Sequence, residues 1–141
     1  MGLEDRESLR ILRDAVDPAR GSDELIRRFY TRWFAIDMSA RDLFPPDMAD
    51  QRMNFGKALA WFLGELVDRR AHEPVSVLAQ LGRDHRKYGV TQRHYDSLQS
   101  ALLSTLRSHL ITRWNDRLEE AAHDAVALAV GCCPPAAAAP R

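Results

Sequence analysis

The sequence predicts an all-α fold, on three observations. Apolar residues recur at intervals of three and four along nearly the whole chain of 141 residues, the spacing of one face of a helix. No run of alternating β-branched residues reaches strand length. The balance of 45% hydrophobic and 28% charged residues lies far from disordered compositions, so the chain should fold, and its length suits a single domain.

The first helix is expected over Glu4 to Val16, with Leu9, Ile11, Leu12 and Val16 on its apolar side, and "DPARG" ends it. The stretch "SDELIRRFYTRWFAI" opens with a Ser or Asp cap and acidic residues in the first turn, where they complement the helix dipole. It carries Leu25, Ile26, Phe29, Tyr30, Trp33 and Phe34, a broad apolar face. In "MSARDLFPPDM" a single turn should end near Phe44, because Pro45 and Pro46 oppose helix continuation and drive Phe44 toward an extended conformation. A long helix follows from about Asp50 to Arg69, with Phe55, Leu59, Phe62, Leu63 and Leu66 on one side and a polar face opposite. Pro74 then opens a shorter helix in which Leu78, Leu81 and His85 share one stripe. Thr91 is a good cap for a helix with Tyr95, Leu98, Leu102 and Leu106 on one face, and the last helix carries Leu118, Ala122, Val126 and Val130. The tail "CCPPAAAAPR", residues 132–141, offers no packing face and reads as a flexible tail or a truncated linker.

Twenty basic and twenty acidic residues cancel, which argues against nucleic acid or an anionic membrane as partner. Charges interrupt every apolar stretch before it reaches membrane-spanning length, and "MGLEDRESLR" lacks a signal-peptide pattern. Cys132 and Cys133, adjacent to each other, fit neither a structural zinc site nor a disulfide framework, so a reducing cytoplasm is the expected location.

Two residues stand out for chemistry. His85 continues an apolar stripe close to a helix end, where Gly89 sits at the position of a left-handed cap. A metal-bound imidazole needs its second nitrogen anchored, and the free carbonyls of a helix C-terminus supply such an anchor. Equally, Gly89 would stop the helix whether or not His85 binds anything. Tyr30 lies in the middle of the strongest apolar helix and needs a hydrogen-bond partner, either a backbone carbonyl or a ligand in a pocket. Phe44 would wall such a pocket, and Gln51, Phe55 and Leu59, each about one turn apart, would close its far side; ordinary helix packing is the plainer reading of those three.

These parts, in this order, resemble the globin family, most closely the haem domains of bacterial flavohaemoglobins and single-domain bacterial haemoglobins. The resemblance rests on "FYTRWF" (29–34), "RDLF" (41–44), "KALAWFL" (57–63), "DHRKYGV" (84–90) and "HYDSLQSALLSTL" (94–106). It implies a three-over-three helical sandwich over residues 1–131 that holds haem b. By that resemblance His85 is the iron ligand, Tyr30 the distal donor and Phe44 the aromatic packed on the haem. Either Gln51, with Phe55 one turn on, or Asn54 by an ungapped count, is the distal amide. Leu59, Leu81, Tyr88, Val90 and Leu98 complete the lining, with Tyr95 as the proximal tyrosine. That tyrosine's glutamate partner in relatives has no counterpart after Glu120.

The function so implied is binding of oxygen, nitric oxide and carbon monoxide, with oxidation of nitric oxide to nitrate when a flavin reductase, fused or separate, supplies electrons. Two rivals remain open on sequence: a haem-free globin-like sensor or interaction module, and a plain helical interaction protein in which Tyr30 and His85 are unrelated in space.

Overall fold

The computed structural model describes residues 2–68 and 90–131, and among these the regular structure is entirely helical, as expected. A 3-10 turn, Gly2–Glu4, leads into α1 (Arg6–Val16); a second, Pro18–Arg20, leads into α2 (Asp23–Ile36). Then come the single turn α3 (Met38–Arg41) and the long α4 (Ala49–Val67), and beyond residue 89 α5 (Gln92–His109) and α6 (Asp116–Gly131). The expected helix from Pro74, with Leu78, Leu81, His85 and Tyr88, lies outside the described residues, as do Cys132, Cys133 and the rest of the tail.

Helix starts are where the sequence reading needs correcting. Helix α1 begins at Arg6 rather than Glu4, because the Asp5 carboxylate is the cap: it accepts from the Ser8 backbone N–H at 3.1 Å and the Ser8 hydroxyl at 2.8 Å. The same carboxylate takes two bonds from Arg117, at 2.8 and 2.9 Å, and so ties α1 to α6. Ser22 stands at the start of α2 without capping it, since its hydroxyl donates instead to the Val16 carbonyl oxygen at 2.8 Å and locks the end of α1 against the start of α2. Between them, Gly21 adopts a left-handed φ of 80° that closes the 3-10 turn. At Thr91 the backbone N–H donates to Nδ1 of His94 at 3.0 Å. A histidine thereby does the work that Glu or Gln does in the usual reciprocal cap.

The α2–α4 connection is held by Arg41, whose guanidinium donates to the carbonyl oxygens of Phe44, Pro45 and Pro46 at 3.1, 3.0 and 3.2 Å. Helix α3 ends at Arg41, and one more turn bond, Phe44 N–H to the Arg41 carbonyl at 3.2 Å, carries the coil on to Phe44.

Helix α1 packs along α4 and against α6, α2 packs along α5 and across α4, and α5 meets α6. The α1–α4 approach is close at Gly56, where a Cβ would stand 2.9 Å from Pro18 Cγ and 3.2 Å from the Val16 carbonyl oxygen, so that only glycine fits without movement. Leu9, Leu12, Leu25, Ile26, Phe29, Phe62, Leu102 and Leu118 are fully buried at the centre; removing each such side chain from water contributes about 1.5–3 kcal/mol. The exposed surface of α4 carries Asp50, Asn54 and Lys57 but is interrupted by Met53 and Trp61, 47% and 38% exposed.

Candidate functional site

Where α2, the Phe44 turn, α4, α5 and α6 come together they leave a cavity of about 630 Å³, within the range of small-molecule and cofactor sites. Of the eleven residues expected there, Tyr30, Phe44, Gln51, Phe55, Leu59, Val90, Tyr95 and Leu98 all line it. The other three, Leu81, His85 and Tyr88, lie outside the described residues. Asn54, the alternative to Gln51, lines the cavity too. No charged side chain does so among the described residues.

An aromatic cluster forms one wall, because the i, i+3, i+4 spacing of α2 turns Phe29, Tyr30, Trp33 and Phe34 toward the same side. Phe29 stacks on Phe55 of α4, with centroids 5.0 Å apart and planes 12° from parallel. Tyr30 meets Phe44 and Phe55 edge-on at 5.6 and 5.7 Å. These contacts fix the phenol of Tyr30, which is 4% exposed.

Gln51 Nε2 donates to the Tyr30 hydroxyl oxygen at 3.3 Å. Because the phenol oxygen is used as an acceptor, the phenol's own hydrogen is left over, and among the described residues no hydrogen bond takes it up. Burial pushes the Tyr30 phenol up to about 12, against opposing pulls from the Gln51 bond and the Arg52 charge. At neutral pH it is therefore a protonated donor. Gln51, one of the two amides the resemblance implied, and the tyrosine expected to be buried thus meet in space, which the plain interaction-protein reading does not require.

Beyond the expected residues, Trp33, Phe62, His94, Leu102, Val126, Ala129 and Val130 also line the cavity. Two of these belong to a buried polar network absent from the sequence reading. Asp37, 1% exposed, caps α3 by accepting from the Ser39 backbone N–H at 3.1 Å. Its Oδ1 also accepts from the Ser39 hydroxyl at 2.6 Å and its Oδ2 from the Ser97 hydroxyl at 3.0 Å. Ser39 Oγ lies 3.0 Å from His94 Nε2, and Trp33 Nε1 donates to Ser97 Oγ at 2.8 Å. Burial raises the Asp37 carboxyl, but the Ser39 and Ser97 hydroxyls, the Arg93 charge at 3.6 Å and the Ser39 N–H outweigh it and hold the group below its ordinary 3.8. The only sequence signal was the Asp-x-Ser spacing of a cap, because Ser97 and His94 come from a helix more than fifty residues away.

A family model described as Globin matches residues 27–132. The chain is also similar to two proteins of rice, from Oryza sativa subsp. indica and Oryza sativa subsp. japonica, each named anaerobic nitrite reductase NSHB5. Each is 27% identical to it over 139 aligned residues, which cover 92% of this chain and 94% of the relative.

Proposed function

We propose, from the premise that the chain belongs to the globin family and has its all-α fold, that it is a haem protein binding diatomic gases in the cavity beneath Tyr30. The observation carrying this is the Tyr30 phenol, buried against an apolar cavity of about 630 Å³ with its hydrogen unspent. The walls suit a flat apolar macrocycle: rings of Phe44 and Phe55 on one side, aliphatic Leu98, Val126 and Val130 elsewhere, and no charge among the described lining residues to be desolvated. His85 is the residue we assign to the iron, with haem b as the cofactor. When bound, haem iron supplies an open coordination position for oxygen, nitric oxide or carbon monoxide and a one-electron couple.

The chain's own residues then divide the work. Phe44, Phe55 and Leu59 exclude water, which strengthens every hydrogen bond made inside. Gln51 holds the Tyr30 oxygen, so the phenol can offer its hydrogen to a ligand carrying partial negative charge. That donor favours oxygen retention and, in a chain supplied with electrons by a flavin reductase as in the bacterial flavohaemoglobins, oxidation of nitric oxide to nitrate. The name of the rice relatives favours a second reading, reduction of nitrite under low oxygen. Product analysis separates the two, nitrate from nitric oxide plus oxygen against nitric oxide from nitrite.

The first test is the absorption spectrum as purified, after reduction, and under carbon monoxide. A haem spectrum that shifts with carbon monoxide is expected. Absence of haem, with none taken up from added hemin, overturns the proposal in favour of a haem-free sensor or docking module. In the haem-loaded protein Tyr30→Phe should speed oxygen release by the equivalent of about 0.5–3 kcal/mol, the worth of one hydrogen bond. Stopped-flow off-rates equal to those of the parent would remove Tyr30 from ligand stabilisation.

A further inference from the structure

Asp37 sits outside the cavity, yet it reaches two of the cavity's rings by matching arms. One arm runs from Oδ1 to the Ser39 hydroxyl, 2.6 Å, and on to the imidazole of His94, 3.0 Å; the other runs from Oδ2 to the Ser97 hydroxyl, 3.0 Å, and on to the indole of Trp33, 2.8 Å. Both rings line the cavity, one from α5 and one from α2.

The hydrogen inventory gives each arm one direction. A serine hydroxyl has a single hydrogen and two lone pairs. Ser39 and Ser97 each give that hydrogen to the carboxylate, although Ser97 shares it with the His94 carbonyl oxygen at 3.1 Å. Their lone pairs are then open to a ring N–H. The indole has only a donor to offer. The imidazole has the same arrangement imposed on it: the Thr91 N–H occupies Nδ1 at 3.0 Å, so the ring proton is on Nε2, facing Ser39. Both serines can accept from rings only because Asp37 presents two acceptors and no donor.

We propose that Asp37 is a positioning residue for the cavity, holding the His94 imidazole, whose Nε2-protonated tautomer the Thr91 N–H sets, and the Trp33 indole against it through Ser39 and Ser97. The two rings come from helices far apart in sequence and share one anchor. The same network keeps His94 from serving as a base or a metal ligand, since both ring nitrogens are engaged.

An amide at position 37 keeps the shape but offers one acceptor and one donor, so Asp37→Asn must reverse or break one arm. Ser39→Ala removes the imidazole arm alone and Ser97→Ala the indole arm alone; Ser39→Thr retains the hydroxyl. In the 141-residue chain, reduced under carbon monoxide, long-range proton–nitrogen NMR reads the His94 ring nitrogens and the indole N–H resonance reads Trp33. Loss of hemin to an excess of a scavenging apoprotein reads the cavity; that part alone rests on the haem reading.

We expect a shifted His94 Nε2 resonance in Ser39→Ala with the Trp33 resonance unmoved, a shifted Trp33 resonance in Ser97→Ala, and parental behaviour in Ser39→Thr. Hemin loss should quicken about three- to tenfold in each alanine variant, the effect of weakening one hydrogen bond. An unshifted His94 Nε2 resonance in Ser39→Ala overturns the proposal, as does hemin loss at the parental rate in both alanine variants. If Asp37→Asn does not fold, the serine variants decide. A parent chain that takes up no hemin overturns the haem reading instead, and the two ring resonances then decide the positioning role.

Discussion

Phe29→Ala is expected to cost about 3–5 kcal/mol of stability, the usual range for emptying a buried phenylalanine site. Phe29 is fully buried, stacks on Phe55 at 5.0 Å and Trp33 at 5.7 Å, and meets the tilted ring of Tyr30 at 4.9 Å. Its neighbours cannot easily collapse into the space, because Tyr30 is fixed by Gln51 and Trp33 by Ser97, and a site that cannot relax keeps most of its cavity penalty. Phe55 loses its near-parallel partner and gains freedom to tilt into the cavity it lines, so the variant should also hold hemin less tightly. Urea unfolding at neutral pH checks the first part, with Phe29→Leu as the variant that loses less volume. A loss below about 1 kcal/mol in Phe29→Ala would mean that the α2–α4 contact repacks, contrary to the rigidity argued from those two hydrogen bonds.

That rigidity explains which parts of the molecule were legible in the sequence. The apolar face of α2 could be read because helical period alone decides that Leu25, Ile26, Phe29, Tyr30 and Trp33 point one way, and all five are buried. The pairing of Tyr30 with Gln51 was reachable because burial need singled out Tyr30 and the globin resemblance singled out Gln51, with Asn54 as its alternative. Asp37 was not reachable: next to a four-residue turn it reads as a cap, and its other partners lie on α5. The start of α1 went astray by two residues, Glu4 against Arg6, and the cap at Ser22 by function, because a hydroxyl's choice between its own helix and the Val16 carbonyl is made by tertiary packing. Exposed Trp61 is the reverse case, an apolar residue on a face the period assigned to solvent; scattered large apolar side chains on a surface are ordinary.

The largest functional effect is expected from His85→Ala, which should yield a folded chain without stable haem. If haem is held as proposed, the described histidines narrow the choice of iron ligand. His94 is the one that lines the cavity, and both of its nitrogens are taken, by the Thr91 N–H and by Ser39. His109 and His123 are exposed on α5 and α6, away from the lining, and His123 stands 3.7 Å from Asp124. Only His72 and His85 remain, both between residues 69 and 89, and the globin resemblance of "DHRKYGV" selects His85. An imidazole ligand with a deleted side chain leaves a gap its own size, so free imidazole added to His85→Ala should restore a haem spectrum, whereas His72→Ala should retain haem without help. Absorbance of the purified variants, normalised to protein, is the measurement. Parental haem content in His85→Ala, or loss in His72→Ala alone, would transfer the ligand role to another residue. The far-ultraviolet circular dichroism of each variant separates loss of a ligand from loss of the fold, because the helices α1, α2, α4, α5 and α6 already share a core built from residues outside that segment.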